Sequence, residues 1–150
     1  MKLLPLLGAM AILSGAAAVI AQGPAVTLKN VAQTAGITFV LDNHPTPEKH
    51  LIESVPGGVA AFDYNGDGRV DLFFANGAVS PTLEKSSEKY WNRLYRNDSV
   101  AGGALRFTDV TKNTGLAGKG YSMGAAAADY DNDGDTDLFA KNRSTRPSPL

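Results

Sequence analysis

One nine-residue loop occurs twice in this chain, as Asp63-Tyr64-Asn65-Gly66-Asp67-Gly68-Arg69-Val70-Asp71 and as Asp129-Tyr130-Asp131-Asn132-Asp133-Gly134-Asp135-Thr136-Asp137. Both copies carry oxygen-bearing side chains at positions 1, 3, 5 and 9 and glycine at position 6. A hard cation such as Ca²⁺ takes roughly six to eight oxygens at about 2.3–2.6 Å, and short alternating carboxylates in a tight turn can wrap it. The expected ligands are Asp63, Asn65, Asp67 and Asp71 in the first loop and Asp129, Asp131, Asp133 and Asp137 in the second. Position 7 is expected to offer its backbone carbonyl, so it tolerates Arg69 in one copy and Asp135 in the other. Gly68 and Gly134 supply the bend. Asp, Asn and Gly also make ordinary surface turns, but two copies in one register, each left through Asp-Leu-Phe, point to a metal.

The flanks decide which kind of metal loop this is. An EF-hand requires helices on both sides and a bidentate Glu at position 12, whereas position 12 is Phe74 in one copy and Ala140 in the other. The runs Gly57-Gly58-Val59-Ala60-Ala61-Phe62 and Val70-Asp71-Leu72-Phe73-Phe74 are short, apolar and bounded by glycine, which suits buried strands joined by the loop. Gly124-Ala125-Ala126-Ala127-Ala128 favours a helix on propensity alone. Its equivalence to the first copy nevertheless predicts a strand, with tertiary context overriding propensity.

From Asp63 to Asp129 the offset is 66 residues, and at that offset Gly58 meets Gly124, Ala61 meets Ala127, Leu72 meets Leu138 and Asn76 meets Asn142. A second echo, at an offset of 79, relates the Thr27 to Ile37 stretch to the Arg106 to Leu116 stretch. The unequal offsets imply an insertion, for which the polar Pro81 to Lys89 stretch and the His44-Pro45-Thr46-Pro47 turn are candidates. Trp91-Asn92-Arg93-Leu94-Tyr95-Arg96-Asn97-Asp98 reads as another short strand ending in a turn. A complete unit is therefore about four strands, and such units need stacked neighbours to bury their faces.

The first loop with its flanks, Asn92-Arg93-Leu94-Tyr95-Arg96-Asn97, Phe107-Thr108-Asp109-Val110 and the second loop together resemble the FG-GAP/VCBS-repeat proteins of the ASPIC/UnbV (cartilage-acidic-protein-like) family, over residues 26–142. That resemblance implies an all-β chain of β-propeller-type blades, with Ca²⁺ held between the first two strands of a blade as in the related integrin α-chain repeats. The whole fold it implies is a seven-bladed propeller, of which about two repeats are present here. The expected organisation is a signal peptide at 1–21, an N-terminal strand and linker at 22–56, repeats at 57–142 and a disordered tail at 143–150. A truncated product of this kind is expected to leave strand edges and the faces bearing Phe62, Phe73 and Leu138 without neighbours.

Lys2, the apolar run to Ile20 and the small residues before Gln22 read as a secretory signal, which predicts a secreted or periplasmic protein without stable membrane insertion after cleavage. There is no cysteine, so disulfides are excluded and bound metal is the available staple. The formal charge is −1, and losing Lys2 with the signal makes it −2. Eight of the fifteen acidic residues lie in the two loops, so two Ca²⁺ ions, adding four positive charges, bring the mature chain to +2. No Lys/Arg block predicts a nucleic-acid partner. His44 and His50 with Glu48 or Glu53 match no zinc spacing and read as a solvated loop. No serine stands in a nucleophile elbow and no carboxylate pair has hydrolase spacing. Tyr90, Trp91 and Tyr95 read as packing residues, with a sugar-stacking surface as the alternative. The function expected is a non-enzymatic, exported calcium-binding scaffold for an extracellular protein or glycan. The alternative is the propeller portion of an exported enzyme whose catalytic part lies elsewhere.

Overall fold

The computed structural model describes residues 26–55 and 57–143, so the signal peptide expected at 1–21 and the tail beyond residue 143 lie outside the described residues. The chain divides into two compact units, residues 1–30 and 31–150. Residues 26–30 of the first unit form no regular element and leave Val26 and Leu28 exposed.

The second unit is all-β. Strands β1 (Gly58–Phe62), β2 (Asp71–Ala75), β3 (Arg93–Asn97) and β4 (Phe107–Asp109) form one antiparallel sheet in the order β1-β2-β3-β4. Strands β5 (Tyr121–Ala128) and β6 (Asp137–Arg143) form a second, two-stranded sheet. Among the described residues the only helical turns are short 3-10 pieces, and no helix is long and apolar enough to cross a membrane. The four-stranded unit expected from the sequence is thus formed once, and its second copy is a hairpin. Arg143, expected at the head of the tail, is the last residue of β6.

Both hairpins close on the acidic loops in the same register, Phe62 opposite Asp71 and Ala128 opposite Asp137. The alanine run is a strand because alternate residues are needed on two faces. Ala125 and Ala127, with Leu138 and Ala140 of β6, pack against a core of Ala60, Phe62, Phe73, Ala75 and Leu94. Small side chains let the sheets approach closely: a Cβ added at Gly58 would lie 2.6 Å from the Ala125 nitrogen and 2.7 Å from the Gly124 Cα. Burying each large core side chain contributes about 1.5–3 kcal/mol, which outweighs alanine's helix preference of a few tenths of a kcal/mol per residue over ordinary residues. The expectation that Phe62 and Phe73 lack neighbours is corrected here, since they are 9% and 1% exposed and rest on the second hairpin. Leu138, expected without a neighbour as well, packs against the same core, whereas Phe139 on the other face of β6 is 67% exposed.

Residues 31–55 contain no strand, in place of the N-terminal strand expected there. They run along the first sheet: Phe39 stacks on Phe74 at 4.8 Å, and Thr38 N–H donates to the Tyr95 hydroxyl at 3.2 Å. Of the echo between the Thr27 and Arg106 stretches the structure keeps the left-handed glycine, Gly36 (φ 90°) and Gly115 (φ 71°), but not the strand, since 28–30 are irregular where Phe107–Asp109 is β4. In the histidine segment Glu48 and His50 are exposed, as a solvated loop requires, while His44 is half-buried and Glu53 is buried. Glu53 is 7% exposed and accepts from the Thr46 hydroxyl at 2.5 Å and the Thr46 N–H at 2.9 Å, while His44 Nδ1 lies 2.7 Å from the Tyr90 hydroxyl. Tyr90 and Tyr95 are buried, as the packing reading requires, and Trp91 sits half-buried beneath Arg93 and Lys112.

Candidate metal centre

Each acidic loop spans the turn of a hairpin, between β1 and β2 or between β5 and β6, and the two loops share one hydrogen-bond scaffold. The position-2 N–H donates to the position-9 carboxylate, Tyr64 to Asp71 at 2.9 Å and Tyr130 to Asp137 at 3.0 Å. The position-5 and position-6 N–H groups donate to the position-1 carboxylate. These are Asp67 and Gly68 to Asp63 at 3.1 and 2.6 Å, and Asp133 and Gly134 to Asp129 at 3.2 and 3.0 Å. The position-7 N–H donates to position 5 at 2.9 Å in both. Position 6 is left-handed in each loop, Gly68 at φ 81° and Gly134 at φ 95°, as the sequence predicts. Position 4 is also left-handed, Gly66 at φ 72° and Asn132 at φ 61°. The sequence signal for it was present but unused, since Gly and Asn are the residues that adopt this conformation most readily.

The side chains diverge where the backbones agree. In the second loop the carboxylates of Asp129, Asp131 and Asp137 each offer an oxygen, and these lie within 4.8 Å of one another, all on exposed residues. No other group of three acids or histidines among the described residues converges in this way. Asp133, expected in the same ligand set, is not part of the group; its Oδ1 accepts from the Asp135 N–H.

In the first loop a built-in cation takes the place of that convergence. Arg69 Nη2 lies 2.6 Å from Asp67 Oδ2, which also accepts from Asn65 Nδ2 at 2.9 Å. The same guanidinium donates through Nε to the Asn97 carbonyl at 2.7 Å. Asp71 is fully buried and accepts from the Asn97 N–H at 2.6 Å as well as from Tyr64. Asn97 Nδ2 closes the clamp on the Val70 carbonyl at 3.0 Å. Asp63 accepts four backbone N–H groups, and these, Gly68 first, hold its carboxyl below the ordinary carboxylate value. Nearby, Arg96 and the Thr108 hydroxyl pull Asp98 down to about 2.

Two residues missed by the sequence reading organise the two opposite ends of the sheet, Asn97 at the loop end and Asn76 at the other. Asn97 of β3 stands beside the first loop; among the described residues no further strand pairs with β6. Asn76 was matched to Asn142 but given no role. It is buried, receives the Asp42 and Gly77 N–H groups on Oδ1, and donates through Nδ2 to three carbonyls, those of Val40, Lys89 and Trp91. Beside it, Lys85 Nζ donates to the carbonyls of Asn76, Gly77 and Tyr90, and burial pushes its pKa down to about 7.

A converging set of oxygen donors, with no nitrogen or sulfur ligand, fits a hard divalent cation. The class defined by fold and site is therefore an antiparallel β-repeat whose hairpin turns are acidic loops. The FG-GAP-like repeat family model matches residues 63–140, from the start of the first acidic loop into β6, and the chain belongs to the FG-GAP-like repeat family. No curated protein and no solved structure matches the chain.

Proposed function

We propose that this chain is an exported calcium-binding module that presents its loops to an extracellular protein or glycan and has no catalytic role of its own. The observation that carries the reading is the pair of hairpin loops with one hydrogen-bond scaffold and an oxygen-only ligand pattern. Asp129, Asp131, Asp133 and Asp137, with the Asp135 carbonyl, would hold the ion in the second loop, and Asp63, Asn65, Asp67 and Asp71, with the Arg69 carbonyl, in the first. Bound Ca²⁺ supplies a local charge that neutralises the clustered carboxylates and fixes the hairpin turn. Ca²⁺ is favoured over Mg²⁺ because a carboxylate-crowded loop suits a larger, geometrically tolerant ion, whereas Mg²⁺ demands a near-octahedral shell at about 2.0–2.1 Å.

The leader-like residues 1–21 support export, and the absence of cysteine leaves an exported chain without disulfides. Extracellular calcium saturates even sites with Kd of about 10⁻⁴–10⁻³ M, so metal can serve where disulfides are lacking. Within the family, we infer a narrower kinship with the ASPIC/UnbV group from Asn92-Arg93-Leu94-Tyr95-Arg96-Asn97 and Phe107-Thr108-Asp109-Val110, and we read the two sheets as successive propeller blades. Calorimetry tests the metal assignment. Wild-type protein is expected to bind two Ca²⁺, Asp67→Ala and Asp133→Ala one each, and unchanged stoichiometry in both variants would remove the basis of the reading.

A further inference from the structure

We propose that Asn65 is a self-modification site: in the metal-free chain its side-chain amide converts to a carboxylate, giving the first loop the acidic pattern of the second. The dipeptide Asn-Gly occurs twice, at Asn65-Gly66 and at Asn76-Gly77. An asparagine amide is chemically labile, and a glycine after it leaves the next backbone nitrogen open to approach because no Cβ shields it. That nitrogen attacks the asparagine Cγ, the Cγ–Nδ2 bond breaks, and ammonia leaves with the proton the nitrogen gives up. Water then opens the cyclic imide. Cleavage at the new C–N bond yields aspartate, and cleavage at the other yields isoaspartate, whose main chain runs through Cβ and Cγ.

The two copies of the dipeptide stand in opposite surroundings. Asn65 and Gly66 are exposed in the turn between β1 and β2, and the space where a Gly66 side chain would sit holds no atom within 4 Å. The Asn65 amide makes one hydrogen bond, from Nδ2 to Asp67 Oδ2 at 2.9 Å. The Gly66 N–H donates to Asp63 Oδ1 at 2.9 Å, so a proton acceptor already lies on the attacking nitrogen. Asn76, in contrast, is 1% exposed. Its Nδ2 is held by the Val40, Lys89 and Trp91 carbonyls and its Oδ1 by the Asp42 and Gly77 N–H groups. A Cβ added at Gly77 would collide with the Asp42 carbonyl oxygen. Ring closure at Asn76 must therefore break the amide out of a packed, water-excluding site, whereas at Asn65 both the ring and the water have room.

Aspartate at position 65 gives the first loop carboxylates at positions 1, 3, 5 and 9, as Asp129, Asp131, Asp133 and Asp137 give the second. This consequence rests on the calcium reading above, by which added ligand charge tightens the first site. Isoaspartate lengthens the backbone between positions 3 and 4 and spoils the site. Ca²⁺ bound to Asn65 Oδ1 holds the amide away from attack, which confines the conversion to chain that has been without metal.

Peptide mapping by mass spectrometry tests the chemistry on the full chain incubated warm in chelator. Asn65 is expected to convert about tenfold or more faster than Asn76 in the folded protein, and at a similar rate in urea, where only the shared dipeptide counts. Equal rates in the folded chain, or an Asn65 that stays intact there while converting in urea, would overturn the proposal. Calorimetry on Asn65→Asp reads the metal, and the first site is expected to tighten about fivefold with two Ca²⁺ still bound. Two bound ions with an unchanged first site would overturn the link to the metal. A wild-type chain that binds no Ca²⁺ would overturn the calcium reading instead, and faster conversion at Asn65 than at Asn76 would still establish the modification.

Discussion

The two acidic loops share a backbone and differ in how their charge is arranged. In residues 63–71, Arg69 is paired with Asp67, Asp71 is buried under two N–H donors, and β3 clamps the turn through Asn97. In residues 129–137 there is no Lys or Arg, among the described residues no third strand pairs with the hairpin, and three exposed carboxylates bring oxygens within 4.8 Å of one another. Beyond the backbone N–H donors that both loops share, the first has the Arg69 guanidinium on Asp67 and the Asn97 N–H on Asp71. The second concentrates five carboxylates in nine residues against three in the first, a crowding that the proposed cation would relieve. One backbone scaffold thus carries two charge arrangements, set by position 7 and by what lies beside the hairpin.

The sharpest way to break this comparison is to remove the position-9 acid from each loop. Asp71→Ala leaves the Tyr64 and Asn97 N–H groups without their acceptor, at about 1–3 kcal/mol for each unsatisfied donor. Asp137→Ala alters an exposed site and is expected to stay within about 1 kcal/mol. Urea unfolding in chelator measures both, and equal losses would show that the loops are not distinct. A smaller effect is expected at Arg69. Arg69→Ala frees Asp67 and should raise the first loop's Ca²⁺ affinity about two- to fivefold, the scale of a partly exposed ion pair. An unchanged or weaker affinity by calorimetry would show that the guanidinium does not compete with the ion.

Acid provides the mildest perturbation. The Asp63 carboxyl is held below its ordinary value of 3.8 by the backbone, so its stabilising contribution is complete above that pH and is lost as pH falls through the lower folded value. Hydrogen exchange at Gly68 is expected to accelerate in that window and to lose this pH dependence in Asp63→Asn. The control is needed because Asp98, lowered to about 2 by Arg96, titrates nearby.

Much of this was legible in the sequence where a local rule was strong. Two loops in one register fixed the hairpins, and the match between Val59-Ala60-Ala61 and Ala125-Ala126-Ala127 identified a strand that propensity alone would have made helical. What escaped depended on contacts distant in the chain. Asn97 lies 26 residues from the Asp71 it clamps, and Asn76 lies 36 from the Val40 carbonyl it reaches, so neither role has a local pattern. The burial of Phe62 and Phe73 was missed for a related reason: the reading treated each unit as lacking a partner, whereas the second hairpin is that partner. Position 4 of the loops was a different kind of miss, since Gly66 and Asn132 are unlike letters that meet the same left-handed requirement.

The central claim is that the second loop takes calcium ahead of the first. A Ca²⁺ titration of the metal-free protein, followed by two-dimensional ¹⁵N–¹H spectroscopy, reads the loops separately through the Gly68 and Gly134 amides, each bonded to its position-1 carboxylate. The account expects Gly134 to shift and saturate at lower calcium than Gly68, because more uncompensated ligand charge raises affinity on an equivalent backbone. Simultaneous saturation, or Gly68 saturating first, would contradict it.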